Sequence, residues 1–286
     1  MTHVIVLGSG FVGSVVADRL RADDSATVSV MGISSHPELA GRDEVGRAML
    51  LAEIERTGAL SVINTSGLLR GTPDQMHSAN VAWPAWLTQQ VLPGSGVRFV
   101  HLGSAAEYGD PGSAEPVHET ATPNPSGPYG ESKWAGSAAV LAARAEGLDA
   151  VVARGFNLVG PNLSAISPLH QFMSDVTALP PDGGVVEVWW PATVRDFVLT
   201  EDLAEAVARL SRVDEVPDVV NICAQVRIRF DEIVMAMAAR QGKVVEIASL
   251  DRPGIPAVVG DNSRLWQVCG LRPVMSAELI AERAGL

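Results

Sequence analysis

Tyr129 and Lys133 stand four residues apart in the stretch PYGESKWAG, 128–136. On a helix that spacing puts both side chains on one face, one turn apart. A free phenol has a pKa near ~10 and exchanges protons poorly at neutral pH. A neighbouring ammonium favours the phenolate and lowers that value. Ser126-Gly127-Pro128 reads as a helix start, with Ser126 at the N-cap and Pro128 in the first turn. Tyr129 then lies near the positive end of the helix dipole, which acts in the same direction. The chemistry on offer is general acid–base catalysis by a tuned tyrosine. A surface Tyr and Lys on an ordinary helix share that spacing, so the rest of the chain has to decide between the two.

A second group of residues sits near the N-terminus. Gly8-Ser9-Gly10-Phe11-Val12-Gly13 is a G-x-G-x-x-G that follows the β-branched run His3–Leu7 and opens an amphipathic stretch. In that context glycines let the turn close and let the backbone approach a pyrophosphate, whose charge faces the helix N-terminus. Gly8, Gly10, Phe11, Val12 and Gly13 are therefore expected to bind a dinucleotide. An NAD site usually has an acid about 20 residues further on, at the end of the second strand. Here Ser29-Val30-Met31-Gly32 runs into Ile33-Ser34-Ser35-His36, and the first carboxylate is Glu38. Nothing there repels a 2′-phosphate, and Ser34, Ser35, His36 or Arg42 can donate to one. NADP is the expected cofactor, with NAD as the alternative.

The elements that must position these residues alternate in type. Short β-branched runs lie at His3–Leu7, Thr27–Met31, Ser61–Asn64, Arg98–Leu102, Ala150–Arg154 and Val219–Cys223, with helical patterns at 11–22, 44–57, 79–91, 129–146 and 201–212. This alternation predicts an α/β fold, a doubly wound parallel sheet with helices on both faces. After about residue 160 the pattern loosens. Residues 1–160 and 195–225 are read as a dinucleotide-binding domain, and 161–194 with 226–286 as a smaller C-terminal substrate-binding domain at the sheet's C-terminal edge.

With 286 residues, 47% hydrophobic and 19% charged, the chain suits a packed core rather than disorder. A net charge of −12 argues against nucleic-acid or anionic-membrane partners, though a pocket can still be locally positive. Cys223 and Cys269 form no CxxC and no Cys/His cluster, so no metal site is expected and both read as reduced thiols. No charged leader precedes the glycine motif and no apolar run approaches a membrane span, so the expected location is the cytoplasm.

In order and spacing these pieces resemble the extended short-chain dehydrogenase/reductases, the NAD(P)-dependent epimerase/dehydratase group that acts on nucleotide sugars. Asn80-Val81 looks like the family's "NV" position. VHLGSAAEYG, 100–109, is similar to the strand that carries the catalytic Ser or Thr four residues before a Tyr-Gly, here Ser104. ARGFNLVGP, 153–161, resembles the strand end whose Asn, here Asn157, faces the substrate. VRDFVLTEDLAEAV, 194–207, resembles the segment whose Arg, here Arg195, lies near the sugar-nucleotide phosphates. The resemblance implies that Tyr129 exchanges a proton with a sugar hydroxyl or carbonyl and that Lys133 lowers its pKa and binds the nicotinamide ribose. It also implies that Ser104 bonds the reacting oxygen and that the hydride comes from the nicotinamide. It further implies a homodimer through helices 79–91 and 129–146, which carry Trp83, Trp86 and Trp134.

Dehydratases of this family carry Asp-Glu after the catalytic Ser or Thr, and an epimerase–reductase of the GDP-fucose type carries a Cys. This chain has Ala105 and Ala106, whose methyl groups move no proton. The expected activity is hydride transfer at one carbon, reduction of a 4-keto-6-deoxy nucleotide sugar. The alternative is a nucleotide-sugar 4-epimerase that retains its cofactor. A non-catalytic NAD(P)-binding regulatory module is the reading of another class, and the intact Ser104, Tyr129 and Lys133 argue against it.

Overall fold

The structure is a computed structural model that describes residues 1–113, 115–161, 167–250 and 254–284. Positions 162–166, 251–253 and 285–286 of the expected smaller domain lie outside the described residues.

The first half contains β1 (Thr2–Leu7), α1 (Phe11–Arg21), β2 (Ala26–Met31), α2 (Glu44–Thr57), β3 (Ser61–Asn64), α3 (Pro73–His77), α4 (Trp83–Trp86), β4 (Arg98–Ser104), α5 (Gly127–Ala145) and β5 (Ala150–Gly155). α3 and α4 belong to one helical run from 73 to 91, which passes through π segments at Ser78–Ala82 and Leu87–Val91. The second half contains β6 (Asn157–Val159), α6 (Pro168–Ala178), β7 (Gly184–Trp189), β8 (Val194–Arg195), β9 (Phe197–Leu199), α7 (Thr200–Leu210), β10 (Val219–Ile222), β11 (Ile228–Arg229), α8 (Phe230–Arg240), β12 (Val245–Leu250), β13 (Ala257–Val258), α9 (Ser263–Cys269) and α10 (Ala277–Arg283).

Six strands form a parallel sheet in the order β10-β5-β4-β3-β1-β2. Alternate side chains of β1 explain its central place: Val4 and Val6 enter one buried cluster with α1 and α7, and Ile5 and Leu7 enter another with α2 and the 73–91 run. From β1 the chain crosses to β2 on one side and returns to β3 on the other. The C-terminal ends of β1 and β3 therefore flank the switch point where a doubly wound sheet opens a crevice. The expected strands and helices coincide with observed ones to within two residues at each end, except that the 79–91 helix starts at 73. Between 32 and 60 the chain makes a 3-10 turn at Pro37–Gly41 and α2, and β2 stays at the sheet edge.

A further cluster gathers Leu169, Phe172, Val186, Phe197, Ile233 and Met237 under the short strands of the second half. Trp83 and Trp86 are buried against the sheet, so they serve the core of this chain. No helix among the described residues is long and apolar enough to cross a membrane.

Candidate active site

β4 ends on Ser104, paired with Gly155 of β5. The chain turns there through a capping box: Ser104 N–H donates to Glu107 Oε1 (2.7 Å), and Ser104 Oγ accepts from Ala106 N–H (3.2 Å). The hydroxyl is thus fixed at the tip of a buried strand.

α5 brings up Tyr129 and Lys133. Ser126 occupies the expected N-cap, but its side chain caps no N–H; the start rests on Gly127 (φ 75°) and Pro128. Gly136 is the reason α5 lies so close to its neighbours. A Cβ at that position would stand 2.0 Å from the Asn80 carbonyl oxygen. Lys133 is buried and donates from Nζ to the Leu102 carbonyl (2.6 Å). Tyr129 is half-buried, and the Ser104 hydroxyl is close enough to its phenol to act on its pKa.

The expected lowering of the Tyr129 pKa is corrected. Burial pushes the phenol above its ordinary value, the Ser104 hydroxyl pulls it down, and the Glu107 charge pushes it up. The Lys133 ammonium is directed at Leu102, and burial pushes it below the usual lysine range while Glu107 acts upward. Desolvation is the largest influence on the phenol, and the Lys133 ammonium expected from the spacing is not among its causes.

Ser104, Tyr129 and Lys133 line one cavity of about 590 Å³. Phe11 and Val12 at the head of α1, the loop Thr65–Arg70 after β3, Asn157, Arg195, and Phe230 with Ile255 complete much of its wall. Among the described residues the wall carries Arg70, Lys133 and Arg195 and no Asp or Glu. Ala105 and Ala106 also line it. Asn157 is exposed and donates from Nδ2 to the Asp196 carbonyl (2.6 Å). Arg195 donates to the carbonyls of Val194 (2.9 Å) and Ile255 (3.0 Å) and lies 5.9 Å from the centre of the Phe230 ring. Burial pushes its guanidinium below the usual arginine range, and Asp110 acts the other way.

The glycine turn fits a dinucleotide. A Cβ on Gly13 would lie 2.0 Å from the Gly8 carbonyl oxygen, so only glycine lets α1 pack on the turn. A Cβ on Gly10, by contrast, would meet nothing within 4 Å, which leaves open space before the uncapped N-terminus of α1. Ser34, Ser35 and His36 form the turn after β2, outside the cavity wall. Ser35 Oγ bonds the Gly32 carbonyl (3.1 Å) and His36 Nδ1 (2.9 Å), whereas Ser34 is exposed. Arg42, the other expected donor, is engaged with Ser78 Oγ (2.9 Å).

Two features lie outside the expected site residues. Asn80, in the first π segment, bonds Leu68 N–H (2.7 Å), the Leu68 carbonyl (2.8 Å) and Ser132 Oγ (2.9 Å), tying the cavity loop to α5. Glu107 pairs with Arg154 in the interior (2.8 Å); the S-x-x-E spacing of Ser104 and Glu107 is the capping-box signal that points to it. Trp189, Trp190, His118 and His170 take no part in the cavity wall.

The model of the NAD dependent epimerase/dehydratase family matches residues 4–223. A dTDP-6-deoxy-L-talose 4-dehydrogenase (NAD(P)(+)) of Kitasatospora kifunensis is 29% identical over 88% of this chain and 83% of its own. A GDP-6-deoxy-D-mannose reductase of Pseudomonas aeruginosa is 28% identical over 61% of this chain and 60% of its own. The structure of RMD from Pseudomonas aeruginosa complexed with NADPH superposes with a TM-score of 0.80 at 24% identity, covering 99% of this chain and 98% of that one. The family match runs from the glycine turn through Ser104, Tyr129 and Lys133 to the last strand of the sheet: the chain belongs to the NAD dependent epimerase/dehydratase family.

Proposed function

We propose that this protein reduces the 4-keto group of a 4-keto-6-deoxy nucleotide sugar, with Tyr129 as proton donor. The observation that carries the reading is the cavity wall. It joins a Ser104–Tyr129–Lys133 set to cations and lacks any carboxylate among the described residues. Such a wall suits a substrate whose phosphates are anionic and a reaction that needs one proton and one hydride. Elimination of water would need a further acid–base pair, and the two positions after Ser104 are alanines. The names of the two relatives, a 6-deoxy nucleotide-sugar dehydrogenase and a reductase, support the same class.

NADPH, when bound, would supply the hydride for the carbonyl carbon. Tyr129 gives its proton to the carbonyl oxygen, and the Ser104 hydroxyl hydrogen-bonds that oxygen. Lys133 stands on the Tyr129 face of α5 and contacts the cofactor ribose. Arg195 faces the substrate phosphates and Asn157 the sugar. The raised Tyr129 pKa keeps the phenol protonated at neutral pH, the form a donor needs in the reducing direction. Gly8, Gly10, Phe11, Val12 and Gly13 hold the pyrophosphate end, and Ser34, Ser35 and His36 meet the 2′-phosphate. In this reading 1–160 and 195–225 form the cofactor side and 161–194 with 226–286 the substrate side. The protein works as a cytoplasmic homodimer through helices 79–91 and 129–146.

The test is stoichiometry. NADPH absorbance and product are followed together with 4-keto-6-deoxy nucleotide sugars as substrates. One NADPH oxidised per sugar reduced is expected, from protein purified largely free of nicotinamide. Interconversion of 4-hydroxy epimers without net NADPH loss would replace the reductase by an epimerase that retains its cofactor.

A further inference from the structure

Glu107 has no exposed surface, and its partner Arg154 is 1% exposed. Glu107 Oε1 accepts from the Ser104 N–H (2.7 Å) and from Ser137 Oγ of α5 (2.9 Å). Glu107 Oε2 accepts from Arg154 Nε of β5 (2.8 Å). One carboxylate thus joins the end of β4, the middle of α5 and the end of β5. Ser137 follows Lys133 by four residues and Tyr129 by eight, so all three lie along one face of α5. Each step is about 6 Å along the helix axis. The Arg154 guanidinium is 4.5 Å from the Tyr108 ring centre and 5.8 Å from that of Trp134, which fixes it from two further sides.

A buried ion pair is a poor device for stability alone. Desolvating both charges offsets their attraction, and apolar residues of the same volume hold a fold as well. What such a pair provides is geometric definition, through short directional bonds at three backbones at once. We propose that Glu107 and Arg154 are positioning residues: with Ser137 they hold the strand end carrying Ser104 in register with the helix carrying Tyr129 and Lys133, so that the Ser104 hydroxyl meets the Tyr129 phenol. This rests on the acid–base role proposed for Tyr129. Its charge reaches the same groups, because Glu107 acts upward on both Tyr129 and Lys133.

The test uses no substrate, so it stands or falls apart from the proposed reaction. The chain has two tyrosines. Labelled with carbon-13 at Cζ, they give two NMR signals, assigned by Tyr108→Phe, whose titrations are followed in the full-length protein. Ser104→Ala removes the hydroxyl that pulls the Tyr129 pKa down, so its midpoint rises. In a Glu107→Gln/Arg154→Met background the hydroxyl is no longer held against the phenol. There the same Ser104→Ala change is expected to move the midpoint by less than roughly half as much, the non-additivity of coupled sites. Equal responses in the two backgrounds would overturn the proposal, because a pair that only stabilises the fold leaves the Ser104 hydroxyl where it acts on the phenol. If the double variant does not fold, the cycle is run with Ser137→Ala, which removes only the α5 end. A reduced response supports the proposal and an equal one overturns it. In turnover, the folded double variant should lose ~10- to 10²-fold in kcat, the scale of a misplacement of about 1 Å, with KM little changed.

Discussion

At Tyr129 burial and the Glu107 charge raise the pKa and Ser104 lowers it, and the proposed proton transfer depends on that balance. Burial is the largest influence, and the Ser104 hydroxyl offsets it only in part. A phenol kept protonated is a donor, so reduction should run at full rate at neutral pH. It should fall as the pH rises through the Tyr129 pKa. Oxidation of the alcohol product needs the phenolate and should show the opposite slope. A pH–rate profile in both directions reads this; parallel slopes would exclude Tyr129 as the titrating group. Tyr129→Phe removes the proton and leaves the ring, so kcat should drop ~10²-fold or more, the scale of general acid–base catalysis. Cofactor binding, followed by NADPH fluorescence, should change little. Near-normal turnover of the variant would rule out the mechanism.

At the scale of elements, Asp196 shows what ties the short strands of the second half to the end of the sheet. Its buried carboxylate accepts from the N–H groups of Ala224 (3.1 Å), Gln225 (2.9 Å) and Gly260 (3.1 Å), so it joins the β8–β9 segment to the end of β10 and the chain after β13. Burial pushes its pKa up to about 6 against these bonds. The native state therefore binds the proton more tightly than the unfolded chain, whose Asp titrates near ~4. Stability from this group is present below that pH and is lost as the pH rises to about 6, a difference on the order of 3 kcal/mol. Denaturant melts between those limits should show this slope in the parent and not in Asp196→Asn. An unchanged slope in the variant would remove Asp196 as its cause. The sequence makes the six sheet strands and their helices legible, because alternating apolar runs and a glycine turn are local signals. The strands β8, β9, β11 and β13 are two or three residues long and exist through partners far along the chain, such as Val194 with Arg229 and Ala257. The site divides the same way. Ser104, Tyr129 and Lys133 are visible as spacing, but the sign of the Tyr129 shift comes from burial of its phenol in the folded chain. The Glu107–Arg154 pair joins positions 47 residues apart.

For the whole molecule the question is how a protein of net charge −12 holds an anionic cofactor. Its average field repels phosphate, so binding has to rest on local positive features. The uncapped N-terminus of α1 and the cavity cations Arg70 and Lys133 are the local features that the proposed function offers the cofactor, with Arg195 left for the substrate phosphates. In the proposed function the choice between NADPH and NADH turns on the sign of charge after β2, where Gly32 to Pro37 contain no carboxylate. The position for a test follows from packing. Met31 is 4% exposed inside the core, so a carboxylate there would be buried, and a Cβ on Gly32 would meet Ser9 Oγ at 2.8 Å. Ile33 is 50% exposed and accepts a charge without rebuilding the turn. Ile33→Asp should lower kcat/KM for NADPH ~10-fold, equivalent to about 1.4 kcal/mol of repulsion at the 2′-phosphate, and leave NADH within ~3-fold. The discrimination should weaken as salt rises, because the charges are exposed and screened. If the parent already uses NADH better than NADPH, the absent acid does not govern the choice of cofactor in this protein.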